Sequence, residues 1–315
     1  MNVIAATLGT LDLGEPIVHR NLAVFPLVGG RDGRPPYDTL KEALDAGTVT
    51  VTEISEGGSV PRLALENRGA RPILLIDGEE LVGAKQNRVL NLTILAPAGK
   101  SIVIPVSCVE QGRWNYRSRH FEDHGRVLFS RARAAKAARV SECKEFRMGN
   151  DADQGEVWNF ISAKMESMRV PSHSMAMEDI YTKNAPRLEE YVAAVRPLDA
   201  QAGAIFAVNG RVENLELFAF PDTLRRLLPK LVRGCAIDAI EEYRDAAPAA
   251  PFEAVGLGED LRLQGPGLSG GGLALDGALL HLCAFNLAAE ESRRPADDGG
   301  TIRRRPRRGN PPPVI

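Results

Sequence analysis

The sequence predicts an α+β fold. Three observations carry this. Short apolar stretches with strand-like spacing fill the first hundred-odd positions, helical periodicity takes over from about residue 126, and a hairpin-like pair of strands follows near residue 203. The expected architecture is a β-sandwich-like N-terminal half packed with a C-terminal half of helices and a smaller antiparallel sheet. The boundaries read as a β-rich subdomain over 1–125, an α/β subdomain over 126–290 sharing its core, and a disordered Arg/Pro-rich tail over 291–315.

In chain order, a helix is expected at about 38–46, with Asp38 as cap and Gly47 as terminator. Val49 and Val51 alternate with Thr50 and Thr52, and Leu63 and Leu65 with Arg62 and Glu66, as in half-buried strands. Ile73-Leu74-Leu75-Ile76 is continuously apolar, the pattern of a strand buried on both faces. Further strands fit 88–95 and 101–107, separated by glycine-bearing loops. Such short, closely spaced strands favour a sandwich over an alternating βαβ sheet.

Asp153 to Glu156 has the spacing of a capping box, followed by Val157, Ile161, Met165 and Met168 at helical intervals. A helical stretch over about 174–195 should break or kink at Pro186. Residues 203–208 and 211–218 form a hairpin around Asn209-Gly210, a favoured type I′ pair. A long amphipathic helix spans 222–243, where Pro229 should kink or divide it, and 260–285 returns to strand-like alternation.

Composition narrows the function classes. The 315 residues are 44% hydrophobic and 25% charged, ordinary for a globular protein. No apolar run approaches the ~18–20 residues of a membrane span, and the N-terminal stretch does not read as a secretory signal. The four cysteines are widely spaced, which fits free thiols in a reducing cytoplasm better than a zinc ribbon or disulfide scaffold. The net charge of −2 is uneven: 292–315 holds seven arginines against two aspartates, leaving the rest clearly acidic. An acidic body argues against a general nucleic-acid binder. The tail reads as a solubilising segment.

Two segments stand out chemically. Residues 77–88 (DGEELVGAKQNR) are polar between nearly pure hydrocarbon strands. Val82, Val89 and Leu90 place the segment along the core, so Glu79, Glu80, Lys85 and Arg88 need partners, either as a structural network or as a site. Residues 107–124 begin at a strand end, where ligand-contacting loops occur. From 113 to 139 there are eight Lys or Arg against Glu122 and Asp123, with Trp114, Tyr116 and Phe121 interleaved. Guanidinium forks and aromatic faces suit a phosphorylated, nucleotide-like ligand; a solvated basic helix face over 126–139 is the alternative.

Glu79, Glu80 and Glu110 could supply paired carboxylates for acid–base chemistry or for a hard metal ion such as Mg²⁺, for which the ligand count is thin. Cys108 with His120 or His124 imitates a thiol–imidazole pair, but a buried cysteine ending a strand fits better. His173 and His281 read as packing histidines. Gly265 to Gly270 matches GxGxxG without the strand-to-helix context that motif requires, and no P-loop occurs.

The blocks LLIDGEELVGAKQNRVLN (74–91), IPVSCVEQGRW (104–114), DQGEVW (153–158), LELF (215–218) and PKLVR (229–233), in this order, resemble a bacterial and archaeal family associated with ADP-ribosylglycohydrolases and rhodanese-phosphatases. The resemblance implies a gene context handling NAD⁺- or ADP-ribose-derived molecules, without implying a reaction. Its motif positions fall on Glu79, Glu80, Lys85, Gln86, Asn87 and Arg88, and on Glu110, Arg113 and Trp114.

The functional expectation is a cytoplasmic protein that binds an anionic nucleotide-type metabolite such as ADP-ribose or NAD⁺ and acts on a glycosidic or phosphate bond if it is an enzyme. Lys85, Arg88 and Arg113 would hold phosphate, Gln86 and Asn87 would add polar contacts, and Trp114 would stack. Glu79, Glu80 or Glu110 would serve as acid–base groups. The alternative is a non-catalytic interaction module for neighbouring ADP-ribose-metabolising enzymes. Cofactor identity stays open.

Overall fold

The structure, a computed structural model, describes residues 3–145, 152–243, 268–275 and 278–286. The chain is α+β, with three sheets and seven helices among these residues. The tail over 291–315, the start of the 260–285 stretch and the first half of the GxGxxG match lie outside the described residues.

Burial along Val49–Glu53 alternates residue by residue, as the Val/Thr pattern requires. This strand is one edge of a six-stranded sheet that continues through Arg62–Asn67, Lys100–Cys108, Arg88–Leu90 and Glu80–Gly83 to Phe121–Glu122. The two edge strands lie beside one another, so the sheet curls almost into a barrel. Over it packs a three-stranded sheet of Ile94–Ala96, Ile73–Leu75 and Asp38–Thr39. Leu40, Val51, Leu65, Leu75, Leu81 and Leu90 belong to the shared core.

The predicted 88–95 strand is split between these two sheets. Asn91 turns the corner because its polar groups are satisfied inside: its side-chain oxygen accepts from Ser107 Oγ at 2.7 Å and its carbonyl from Lys136 Nζ at 3.1 Å.

The largest sheet takes strands from both sides of residue 125. Its order is Asp12–Leu13, Leu22–Val28, Gln201–Val208, Arg211–Phe218, Ala278–Asn286, Leu268–Leu275, with Ile17–His19 paired to Leu22–Val28. The hairpin turn has φ of 49° at Asn209 and 76° at Gly210, the two positive values of a type I′ turn.

The helices are α1 (Val3–Leu8), α2 (Leu40–Asp45), α3 (Ser130–Glu145), α4 (Gln154–Ser167), α5 (Met177–Lys183), α6 (Ala185–Ala194) and α7 (Pro221–Glu241). The cap of α2 is Thr39 rather than Asp38: Thr39 and Glu42 form a capping box, while Asp38 holds the Arg71 guanidinium at 2.8 Å. Asp153 caps α4, and Pro186 opens α6 after the break that follows α5. Pro229 does not divide α7. Arg225, whose carbonyl loses its partner, is exposed, so water can serve that oxygen. The apolar face of α7 packs on Gln201–Val208 through Leu224, Leu227, Leu228 and Leu231. No helix among the described residues is long and apolar enough to cross a membrane.

Candidate functional site

From Ile73 to Asn91 every residue is buried except Lys85. The polar segment therefore lies inside the protein, and each charge must be accounted for by a partner or an orphan. The expected acid–base carboxylates Glu79, Glu80 and Glu110 do not converge. Successive strand residues point to opposite faces, which sends Glu79 and Glu80 to different surroundings.

Glu79 meets α7 and the loop after Phe121–Glu122. Lys230 Nζ donates to Glu79 Oε1 and to Asp123 Oδ2, each at 2.6 Å, and Ile76 N–H donates to Glu79 Oε2 at 2.8 Å. All three side chains are buried. Burial pushes the Glu79 carboxyl above its usual range, against the pull of Lys230. Burial lowers Lys230, but the two carboxylates more than offset this, so its pKa stands above the ordinary lysine value. The trio is a closed strut between the barrel and α7, which corrects the acid–base role expected of Glu79.

Glu80 is fully buried. Its Oε2 faces Arg126 Nη1 at 3.4 Å, and its Oε1 has no hydrogen-bond partner among the described residues. Burial outweighs Arg126 and lifts the carboxyl to about 8, so Glu80 is protonated at neutral pH. Arg126 also binds Glu178 at 3.0 Å, which in turn meets Arg117, His124 and Asn87. Burial alone would raise Glu178, but the bonds from Arg126 bring it below the ordinary carboxylate value.

Glu110 and Arg113 form a bidentate pair, and Arg113 further donates to the carbonyls of Ala84 at 2.6 Å, Asn115 at 2.9 Å and Gly83 at 3.2 Å. Asn87 completes the knot: its N–H donates to Glu110 Oε2 at 3.0 Å, and its side-chain oxygen accepts from Gly83 N–H and Arg113. Arg113 thus fastens the hairpin turn and is engaged internally, contrary to the phosphate-holding role expected of it. Gln86 Oε1 accepts from Arg88 Nη1 at 3.1 Å and from the Cys108 thiol at 3.2 Å. Burial raises the Cys108 pKa, and its thiol meets Gln86 and the Glu110 backbone; among the described residues no histidine pairs with it.

The basic run over 126–139 is not a solvated face throughout. Arg133 and Lys136 are buried at 2% and 1% exposure. Lys136 pairs with Asp77, and Arg133 donates to Glu216 at 2.7 Å. Glu216 in turn meets His281 Nε2 at 3.0 Å, and His281 Nδ1 meets Thr93 at 2.9 Å, so His281 is a packing histidine within a buried network. The network ties α3 to the large sheet.

The accessible part of the site is the rim. Lys85 Nζ lies 5.4 Å from the Trp114 ring centre and 5.1 Å from that of Tyr116, both rings being 44% exposed. Beside them opens a cavity of about 560 Å³ lined by Thr52, Glu53, Ser55, Glu56, Tyr116, Arg119 and His120. Among the described residues, neither Lys85 nor Arg119 has an ion-pair partner. The cavity is bipolar, with Arg119 and His120 on the loop side and Glu53 and Glu56 at the end of Val49–Glu53.

Of the residues singled out from sequence, Lys85 stands against Tyr116, which lines this opening, Trp114 packs on Lys85, and Arg88 lies behind Trp114 with its guanidinium carbon 5.7 Å from the ring centre. Tyr116 and Arg119 belonged to the aromatic–basic segment without being singled out. Glu53 and Glu178 carry no local signal, since only the tertiary fold brings them here. No group of three or more His, Cys, Asp or Glu among the described residues is placed to hold a metal ion.

No curated protein and no solved structure matches the chain. A family model matches residues 10–285, which take in the barrel, the large sheet and the whole rim described above. By that match the chain belongs to the ARG and Rhodanese-Phosphatase-superfamily-associated Protein domain family.

Proposed function

We propose that the protein binds an anionic nucleotide-type metabolite of the ADP-ribose or NAD⁺ class at the Lys85–Trp114–Tyr116 rim. The observation that carries this reading is the exposed aromatic pair around Lys85, opening onto the cavity with Arg119 and His120. Unpaired cations suit phosphate, exposed rings suit a base or ribose, and the carboxylates opposite suit hydroxyl and amine donors. The family's name, in which we read ARG as ADP-ribosylglycohydrolase, agrees with this class of ligand. Four buried free thiols support a reducing, cytoplasmic location.

Binding is favoured over bond cleavage. Glu79 and Glu110 are consumed in internal ion pairs, and Glu80, though protonated, is sealed from solvent. The same closure supports a second reading, an interaction module for neighbouring ADP-ribose-metabolising enzymes. A thermal-shift screen with ADP-ribose, NAD⁺, ADP, AMP and inorganic phosphate, with and without Mg²⁺, separates the two. Ligand at one hundred times its Kd stabilises the fold by about 2.7 kcal/mol. The binding reading expects a shift that Lys85→Ala and Arg119→Ala abolish; no shift with any compound favours the module. Arg88→Ala is a poor probe, because Arg88 is fully buried and its loss perturbs the fold itself.

A further inference from the structure

Behind the rim, two buried side chains offer complementary atoms that no described residue uses. Arg88 is fully buried; its Nε donates to Val60 O at 3.2 Å and its Nη1 to Gln86, but Nη2 has no partner. Glu53 is 8% exposed; its Oε1 accepts from Lys85 N–H at 3.3 Å, and Oε2 has no partner. The two groups sense each other electrostatically, since Glu53 pulls the Arg88 pKa upward against the larger effect of burial. Yet they form no ion pair among the described residues. An orphan donor and an orphan acceptor, each costly to bury, thus lie beneath the rim: Glu53 lines the open cavity, and Arg88 sits behind the Trp114 ring.

The chain covering them is built to approach closely. Gly58 has φ of 75°, and a Cβ there would lie 3.1 Å from Lys85 Cδ, 3.2 Å from Trp114 Cζ2 and 3.3 Å from Glu53 Oε2. This Gly57-Gly58 stretch is tied down by the same two cations, through Lys85 Nζ to Gly57 O at 3.0 Å and Arg88 Nε to Val60 O. A ligand that draws Lys85 toward its phosphate would release one tie and open the way inward.

We propose that Arg88 Nη2 and Glu53 Oε2 read the edge of a planar ligand headgroup that presents a hydrogen-bond acceptor beside an N–H donor. Arg88 donates to the acceptor and Glu53 accepts from the N–H. A nucleobase and a carboxamide share this edge chemistry. The inference rests on the nucleotide-binding reading above and assigns the part of the ligand that the rim cations do not hold.

Calorimetric titration of the full chain with three probes tests it: ADP-ribose, which carries a base; nicotinamide mononucleotide, which carries a carboxamide; and ribose 5-phosphate, which carries neither. The expected result is that at least one headgroup-bearing probe binds at least about tenfold tighter than ribose 5-phosphate, the scale of one charge-assisted hydrogen bond. Which probe gains identifies the headgroup. In Glu53→Leu the ratio should fall toward one, because the headgroup-bearing probes lose more affinity than ribose 5-phosphate does. Glu53→Leu gives up one 3.3 Å backbone bond and no ion pair among the described residues, so the protein should stay folded, and the wild-type ratio is informative without any variant. Equal affinities in the wild type, or a ratio unaltered in Glu53→Leu, would overturn the headgroup assignment alone. Failure of all three probes to bind would overturn the nucleotide reading and this assignment with it.

Discussion

Arg113 holds Glu110 by two parallel bonds, Nε to Oε1 at 2.8 Å and Nη2 to Oε2 at 2.6 Å, with both side chains largely shielded from water. The pair closes the loop between Cys108 and Trp114 onto the Gly83–Asn87 turn, so the position of the exposed Trp114 depends on it. A surface ion pair would contribute little; this one is shielded and shared with three backbone carbonyls.

Removing one partner should therefore cost far more than removing both. Glu110→Ala leaves a largely buried guanidinium without its carboxylate and is expected to destabilise by about 3–5 kcal/mol. Urea unfolding of Glu110→Ala, Arg113→Ala and the double variant measures this. The double variant should be less destabilised than the sum of the singles.

Among the described residues, Lys230 is the single cation between Glu79 and Asp123. Lys230→Met should destabilise by about 3–5 kcal/mol, since two buried carboxylates are then left facing each other. Adding Glu79→Gln should recover part of the loss, measured by the denaturation midpoint.

The raised pKa of Glu80, about 8, gives a pH dependence of definite sign. The folded protein holds this proton more tightly than the unfolded chain, so the contribution is complete below the ordinary glutamate range. It declines as pH rises toward 8, at up to about 1.4 kcal/mol per pH unit from this one group. Glu80→Gln, neutral at every pH, should remove that slope and be more stable than the wild type above pH 8. Melting curves across pH 5–9 for both proteins check it.

Gly58 is expected to resist any side chain. Gly58→Ala combines a positive φ with approaches of 3.1–3.3 Å to Lys85, Trp114 and Glu53. It should lower stability by about 1 kcal/mol or more and weaken ligand binding, because it displaces the rim. Gly47→Ala has a similar φ but open space around it, so it should show only the backbone cost.

Local patterns were legible wherever one element decided the outcome. The Val49–Val51 alternation, the Ile73–Leu75 run and the Asn209-Gly210 turn all take the form that their residue types require. The polar segment's place inside the protein also followed from its apolar neighbours. What could not be read was pairing across the chain. Glu79 finds its cation 151 residues away at Lys230, and Arg133 finds Glu216 across 83 residues. For that reason Arg133 and Lys136 passed for surface charges, and the three carboxylates passed for neighbours. Asp38 lost the cap of α2 to Thr39 because Arg71, remote in sequence, claims its carboxylate.

The most direct test uses the rim's own fluorophore. Trp114 and Trp158 are the two tryptophans, so in a Trp158→Phe protein Trp114 alone reports. Titration with ADP-ribose should quench its emission saturably, and Lys85→Ala in the same background should abolish the quench while the melting temperature stays close to that of its parent. An emission unchanged up to millimolar ADP-ribose, or a quench that Lys85→Ala leaves intact, would contradict a nucleotide-type ligand held between Lys85 and the exposed rings.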